Sequence, residues 1–136
     1  MRKPLYKTPE ELQAAVDAYF RHCAGSPVFD SDGFPVKDVH GREVRKGATP
    51  PTVTGLSLFL GFASRKGLHR QGERGPHWRL VVQRARARCE LYAEEKLYYS
   101  DTYKGAAYML IRAFGWRRFN DEETPVNITT EEKEDL

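Results

Sequence analysis

Thr52 to Arg70, read TVTGLSLFLGFASRKGLHR, is the stretch that most narrows what this chain can fold into. It has the outline of two short helices about a tight turn. Val53, Leu56, Phe59 and Leu60 recur at helical spacing and predict a buried face on the first helix. Gly61 supplies the break, Phe62 follows in the turn, and Ser64 can cap the second helix by accepting a backbone N–H. The second helix then presents Arg65, Lys66, His69 and Arg70 around one apolar anchor, Leu68. A helix of that kind suits a DNA major groove while the first helix braces it. The same residues also describe an ordinary helical hairpin with a solvated basic face. Gly67 inside the second helix costs about 1 kcal/mol relative to Ala.

A chain of 136 residues fits one domain with short appendages. No run of about 18 apolar residues occurs, so no membrane span is expected. The opening MRKPLYKTPEEL lacks the apolar core of a signal peptide. Cys23 and Cys89 are too few for a disulfide framework and read as reduced, partly buried thiols of a cytoplasmic protein.

The formal net charge of +3 hides a strong asymmetry. Residues 65–90 hold eight basic against two acidic groups, for +6. Residues 121–136 hold seven acidic groups against Lys133, for −6. A basic middle is the electrostatic footprint of a polyanion partner, of which nucleic acid is the commonest. The acidic end reads as a separate disordered tail serving a protein partner.

Around the central stretch the chain alternates helical and turn-rich segments. Thr8 as N-cap, Pro9 at the first position and Glu11 completing a capping box predict a helix over about 9–23. Leu12, Ala15, Val16, Tyr19 and Phe20 form its apolar face. Residues 28–46 favour extended structure, with Asp32-Gly33 and His40-Gly41 as turns, and predict a β-hairpin projecting between the first two helices. Residues 71–76 read as a loop, with Pro76 starting the longest helix, from about His77 to Tyr99. On it Trp78, Val82, Ala85, Cys89, Tyr92, Lys96 and Tyr99 make a heptad-like seam. Val81, Leu91, Leu97 and Tyr98 leave apolar surface off that seam. Packing within the subunit accounts for much of the seam; the surplus suits a second copy of the chain. A last short helix spans Gly105 to Phe114, closed by Gly115.

The sequence offers little catalytic chemistry. Gly61 to Gly67 lacks the Gly-Lys-Ser/Thr ending of a phosphate-binding loop. The four histidines and two cysteines have no recognised metal spacing, so no metal and no cofactor is expected. Asp30 and Asp32 sit in a turn sequence, Asp-Ser-Asp-Gly, with no third carboxylate at a telling distance. Arg84 and Arg88 lie one turn apart and Arg86 projects to another side. These arginines could pair with Glu90, Glu94 or Glu95 of the same or a neighbouring subunit, or could line a DNA surface.

Three stretches together resemble the small subunit of the tailed-phage terminase: AYFRHCAGSPVF, TVTGLSLFLGFASRKGL, and WRLVVQRARARCELYAEEKL running into GAAYMLIRAFGW. The resemblance covers about residues 8–119. It implies a mainly helical, non-catalytic subunit that assembles into a homo-oligomeric ring in the host cytoplasm. Such a subunit binds double-stranded DNA at the packaging-initiation site and recruits the large terminase subunit, which holds the ATPase and nuclease. The expected organisation is a DNA-binding part over 1–75, a helical oligomerisation core over 76–120 and the acidic tail over 121–136. DNA contact is expected from Ser64, Arg65, Lys66, His69, Arg70, Arg74 and Arg79. Self-association is expected from Trp78, Val82, Leu91, Tyr92, Leu97 and Tyr98. The alternative is a dimeric helix-turn-helix transcriptional regulator on a two-fold operator.

Overall fold

The computed structural model describes residues 4–117, so the acidic tail expected over 121–136 lies outside the described residues. The fold is mainly helical, with one small antiparallel strand pair. α1 runs Pro9–Ala24. The Thr8 hydroxyl accepts the Glu11 N–H at 3.1 Å, satisfying one of the first-turn donors. Glu11 reaches back as a capping box requires, but to the Lys7 N–H at 2.8 Å, one residue before the position that the box assigns. Gly25 closes α1 at φ 66°. A Cβ there would stand 2.5 Å from the Lys46 carbonyl oxygen, so only glycine lets the returning chain pass.

The excursion between α1 and α2 begins and ends as a pair of strands, β1 (Ser26–Pro27) and β2 (Arg45–Lys46). Within it the backbone does more than make one hairpin. The Val28 N–H donates to Val44 O at 3.2 Å, Val36 to Val28 O at 3.0 Å, and Val44 to Val36 O at 2.8 Å, closing a three-way ring. Two matching turns separate the valines. The Asp30 carboxylate accepts the N–H groups of Asp32 and Phe34, and Asp38 accepts those of His40 and Arg42. An eight-residue repeat, Val-x-Asp-x-x-Gly, therefore underlies the segment, with Gly33 and Gly41 both at positive φ.

The second of these turns is fastened to the body. Arg42 meets Asp38 at 3.0 Å and Asp101 at 2.8 Å, and its guanidinium lies 4.5 Å from the centre of the Tyr99 ring. The side-chain hydrogen bond from Arg42 holds the Asp101 carboxyl below the usual carboxylate range. At Asp38 desolvation is outweighed by the backbone N–H groups of Arg42 and His40, and the carboxyl is again lowered. The excursion is thus tied to the body through its second turn, although Val39 there is exposed, as are Phe29 and Phe34 at the first.

α2 (Val53–Phe59) and α3 (Arg65–Gln71) are joined through Leu60–Ser64. The Thr52 hydroxyl caps α2 on Gly55 N–H at 2.9 Å, and Ser64 caps α3 on Lys66 N–H at 3.3 Å. The buried stripe of α2 differs from expectation at one position. Phe59 is 46% exposed, while Ser57 is fully buried. Positions 53, 56, 57 and 60 are the true i, i+3, i+4, i+7 face. Ser57 can occupy it because its hydroxyl donates to Val53 O at 2.8 Å. The Gln71–Pro76 stretch contains a 3₁₀ turn, Gly72–Arg74, where a plain loop was expected.

α4 runs Pro76–Glu95 and ends four residues before the expected Tyr99. Lys96–Tyr98 tightens into a 3₁₀ turn and Tyr99 is extended. The Thr102 hydroxyl donates to Lys96 O at 2.8 Å, giving that carbonyl a partner that a continuing helix would have supplied. α5 spans Tyr103–Phe114 and stops at Gly115 in the left-handed conformation, φ 75°. One core holds the first four helices together: Leu12, Val16 and Tyr19 of α1, Leu56 of α2, Leu68 of α3, and Trp78, Val82 and Ala85 of α4. Both cysteines are buried, and burial pushes the Cys89 thiol up to about 12.

Gly67 acquires a reason that helix propensity hides. A Cβ on it would stand 2.5 Å from Phe62 Cβ, so α3 needs a glycine to lie against the turn that precedes it. Propensity alone predicts that Gly67→Ala gains about 1 kcal/mol. Overpacking of about 1–3 kcal/mol opposes it, and a net loss of about 1 kcal/mol should appear as a lower urea midpoint. A higher midpoint would show that Phe62 yields freely.

The Arg42 clamp yields a pH prediction. Asp38 and Asp101 have folded pKa values below their unfolded ones, so their contribution is complete above the ordinary carboxylate value of about 3.9. It is lost as pH falls below that value through the folded ones. The Tyr99 ring resonances should therefore hold steady at mildly acidic pH and move only below about pH 4. Release of the ring already near neutrality would rule the clamp out.

Candidate nucleic-acid interface

Seven positions were expected to face DNA, and the fold separates them into groups. Arg65 and Lys66 open α3, and His69 follows on its outer side, all exposed. With Ser64 they line one groove of about 590 Å³, floored by Val53, Leu68 and Val82. Across the groove stands Arg86 of α4. No carboxylate lines it; the nearest acidic partner is Glu73, 3.9 Å from His69 through an exposed i, i+4 pair. Pairs of that kind contribute little in water. Four cationic or titratable nitrogen-bearing side chains from two helices thus converge with their charge uncompensated.

Arg86 was not expected in this group. Its helical phase was the available signal, because it lies one turn after Val82 on α4 and Val82 packs beneath α3. Sequence spacing gave it a side different from Arg84 and Arg88, and the fold makes that side the wall of the groove. Arg70 and Arg79 are exposed but do not line it.

Two arginines of the basic stretch hold the fold together. Arg74 places its guanidinium 3.6 Å from the centre of the Trp78 ring and donates to Tyr6 O at 2.7 Å and to Gln71 Oε1 at 3.0 Å. Its cation–π contact and its hydrogen bonds fasten residues at the start of the chain to the head of α4. Arg88 pairs with Asp17 of α1 at 2.8 Å and stacks over Phe20 at 3.9 Å. Within the chain its partner is therefore none of Glu90, Glu94 or Glu95. Glu90 instead accepts the indole N–H of Trp116 at 2.7 Å.

The positions expected to self-associate also divide. Trp78 and Val82 are occupied by the chain's own core, and so is Val81, which was expected to leave surplus apolar surface. Tyr92 and Leu97 are half-buried, whereas Leu91 is 52% and Tyr98 84% exposed. A second, largely apolar cleft of about 290 Å³ lies between α2, α4 and α5, lined among others by Val53, Ala106, Met109 and Phe114, with Arg65 and Lys96 at its edges.

Among the described residues no group of three or more His, Cys, Asp or Glu stands close enough to hold a metal ion. No described helix is long and apolar enough to cross a membrane. Compared with known protein families, residues 1–121 match the family described as DNA-packaging protein gp3. No curated protein and no solved structure matches the chain.

Proposed function

The chain belongs to the DNA-packaging protein gp3 family, and on that premise we propose that it is the small, non-catalytic terminase subunit that marks phage DNA for packaging. The observation that carries this reading is the groove in which Arg65, Lys66 and His69 of α3 face Arg86 of α4 with no carboxylate among them. DNA phosphates are the matching ligand: charge-assisted hydrogen bonds from arginine forks are strong, and counterions are released on contact. Arg70 and Arg79, exposed beside the groove, extend the contact to neighbouring phosphates. In this reading α2 braces α3 as the first helix of a helix-turn-helix braces the second.

One such groove on a seven-residue helix binds weakly, in the non-specific range of about 10⁻⁴ to 10⁻⁶ M. A ring supplies what one subunit lacks, because repeated modules raise the effective concentration of each next contact. Leu91 and Tyr98 offer the exposed apolar surface for that assembly. The acidic tail and the ring together recruit the large terminase subunit in the host cytoplasm, and that subunit contributes ATP hydrolysis and DNA cleavage.

Arg65→Ala combined with Lys66→Ala should weaken duplex binding at least tenfold, and should lower the slope of log affinity against log salt by about one per lost phosphate contact. Fluorescence anisotropy over a salt series measures both quantities. Unchanged binding would move the interface elsewhere on the molecule.

Native mass spectrometry at micromolar concentration should show a closed ring for the natural sequence, and smaller species for Leu91→Asp with Tyr98→Asp. A monomer for the natural sequence would remove the ring. A dimer protecting a two-fold symmetric site would favour a transcriptional regulator instead.

A further inference from the structure

The basic groove has a candidate occupant within the chain itself. Trp116, just after α5, is held by its hydrogen bond to Glu90 at 2.7 Å. Glu90 follows Arg86 by four residues on α4, so their side chains are neighbours, with Cβ atoms about 6 Å apart. The chain therefore leaves the described fold beside the wall of the groove. Asp121, Glu122 and Glu123 come five to seven residues after Trp116. At roughly 3.3–3.6 Å per residue an extended chain of that length reaches about 17–25 Å.

Charge and apolar character fall in matching order. Residues 121–136 read acidic at Asp121–Glu123, apolar at Val126 and Ile128, and acidic again at Glu131, Glu132, Glu134 and Asp135. The surface reads basic at Arg65, Lys66 and Arg86. It is then apolar at Val53, Ala106 and Met109, with Lys96 as a second cation at the edge of that cleft. The basic groove and the apolar cleft are contiguous, sharing Val53, Thr54, Arg65 and Ala113. Val126 and Ile128 lie two apart, which puts both on one side of an extended strand.

We propose that residues 121–136 dock along this continuous groove of their own chain, carboxylates standing where DNA phosphates stand and Val126 and Ile128 entering the apolar cleft. The site of this docking is the one that the DNA-binding reading uses, so the segment acts as an internal competitor of DNA. Attachment to the same chain makes the competition effective with weak contacts, because the local concentration of a short tether is high. Salt and DNA both release the segment, and a released segment is free for a protein partner. Loading on DNA and exposure of the acidic segment thereby become one event.

Zero-length carbodiimide cross-linking of the full-length protein tests this directly, since it joins a carboxylate only to an amine in contact. Peptide mapping at about 50 mM salt, where screening is weak, should find Asp121–Glu123 joined to Lys66, and the Glu131–Asp135 cluster joined to Lys96. Mixing two isotopic forms of the protein shows whether each link lies within one chain. A saturating short duplex should reduce these links at least fivefold. Converting the seven carboxylates of 121–136 to their amides should tighten duplex binding about five- to tenfold at that salt, and the gain should shrink steeply as screening increases. Links to Lys37 or Lys46 of the excursion instead, or no links to Lys66 and Lys96, overturn the docking. Duplex binding without these links leaves the DNA-binding reading standing and removes the docking. Links that persist in a protein unable to bind any duplex do the reverse.

Discussion

The hydroxyl of Tyr19 is the contact on which the arrangement of the helices turns. It accepts the Thr52 N–H at 3.0 Å and donates to the Thr52 carbonyl at 3.3 Å, gripping the residue that caps α2. Gly55, one turn into α2, leaves the room: a Cβ there would come 2.6 Å from the Tyr19 oxygen. The ring of Tyr19 lies 5.4 Å from both Phe20 and Phe59, so apolar burial and polar satisfaction coincide in one side chain. Burial raises its phenol to about 12 against the opposing backbone contact from Thr52, keeping it a neutral donor throughout the physiological range. α1 thereby sets where α2 begins, and with it the turn that presents α3.

Local signals in the sequence located the helix ends well, because a cap or a break is decided within four residues. Thr8, Ser64, Pro76 and Gly115 each act where their chemistry places them. What could not be read were contacts decided by partners far along the chain. Arg88 meets Asp17 across 71 positions, and Arg74 meets Tyr6 across 68; no periodicity carries such pairings. α4 ends before its apolar periodicity does, because the hydroxyl that takes up the Lys96 carbonyl belongs to Thr102, beyond a turn. The valine repeat at 28, 36 and 44 was legible in principle. Its period of eight is far longer than the helical or strand repeat, so neither of those repeats brings it out.

The charge of the middle region also divides once the fold is known. Eight basic groups fall within residues 65–90, but Arg74 and Arg88 are spent on an aromatic ring each and on oxygen partners within the chain. Counting them as ligand-facing overstates the interface. Stacking explains why arginine stands at both positions: its planar guanidinium covers a ring and still donates in its own plane, which a lysine ammonium cannot do. The uncompensated charge that remains is concentrated at the α3–α4 groove and on exposed Arg70, Arg79 and Arg84.

α3 itself is the point where local and tertiary demands collide. Seven residues are far fewer than an isolated helix needs in water, and Gly67 weakens the helix further. The helix exists because Leu68 is buried in the shared core and because its glycine admits Phe62, whose ring is packed edge-on against Tyr6 at 6.2 Å. Tyr6 in turn donates to the Leu60 carbonyl at 2.8 Å, fixing the turn between α2 and α3. Three residues outside α3 thus determine whether Arg65, Lys66 and His69 converge on Arg86. A better helix former at position 67 would strengthen the element and displace it, so the residue that looked like a flaw in the helix is what lets the groove form.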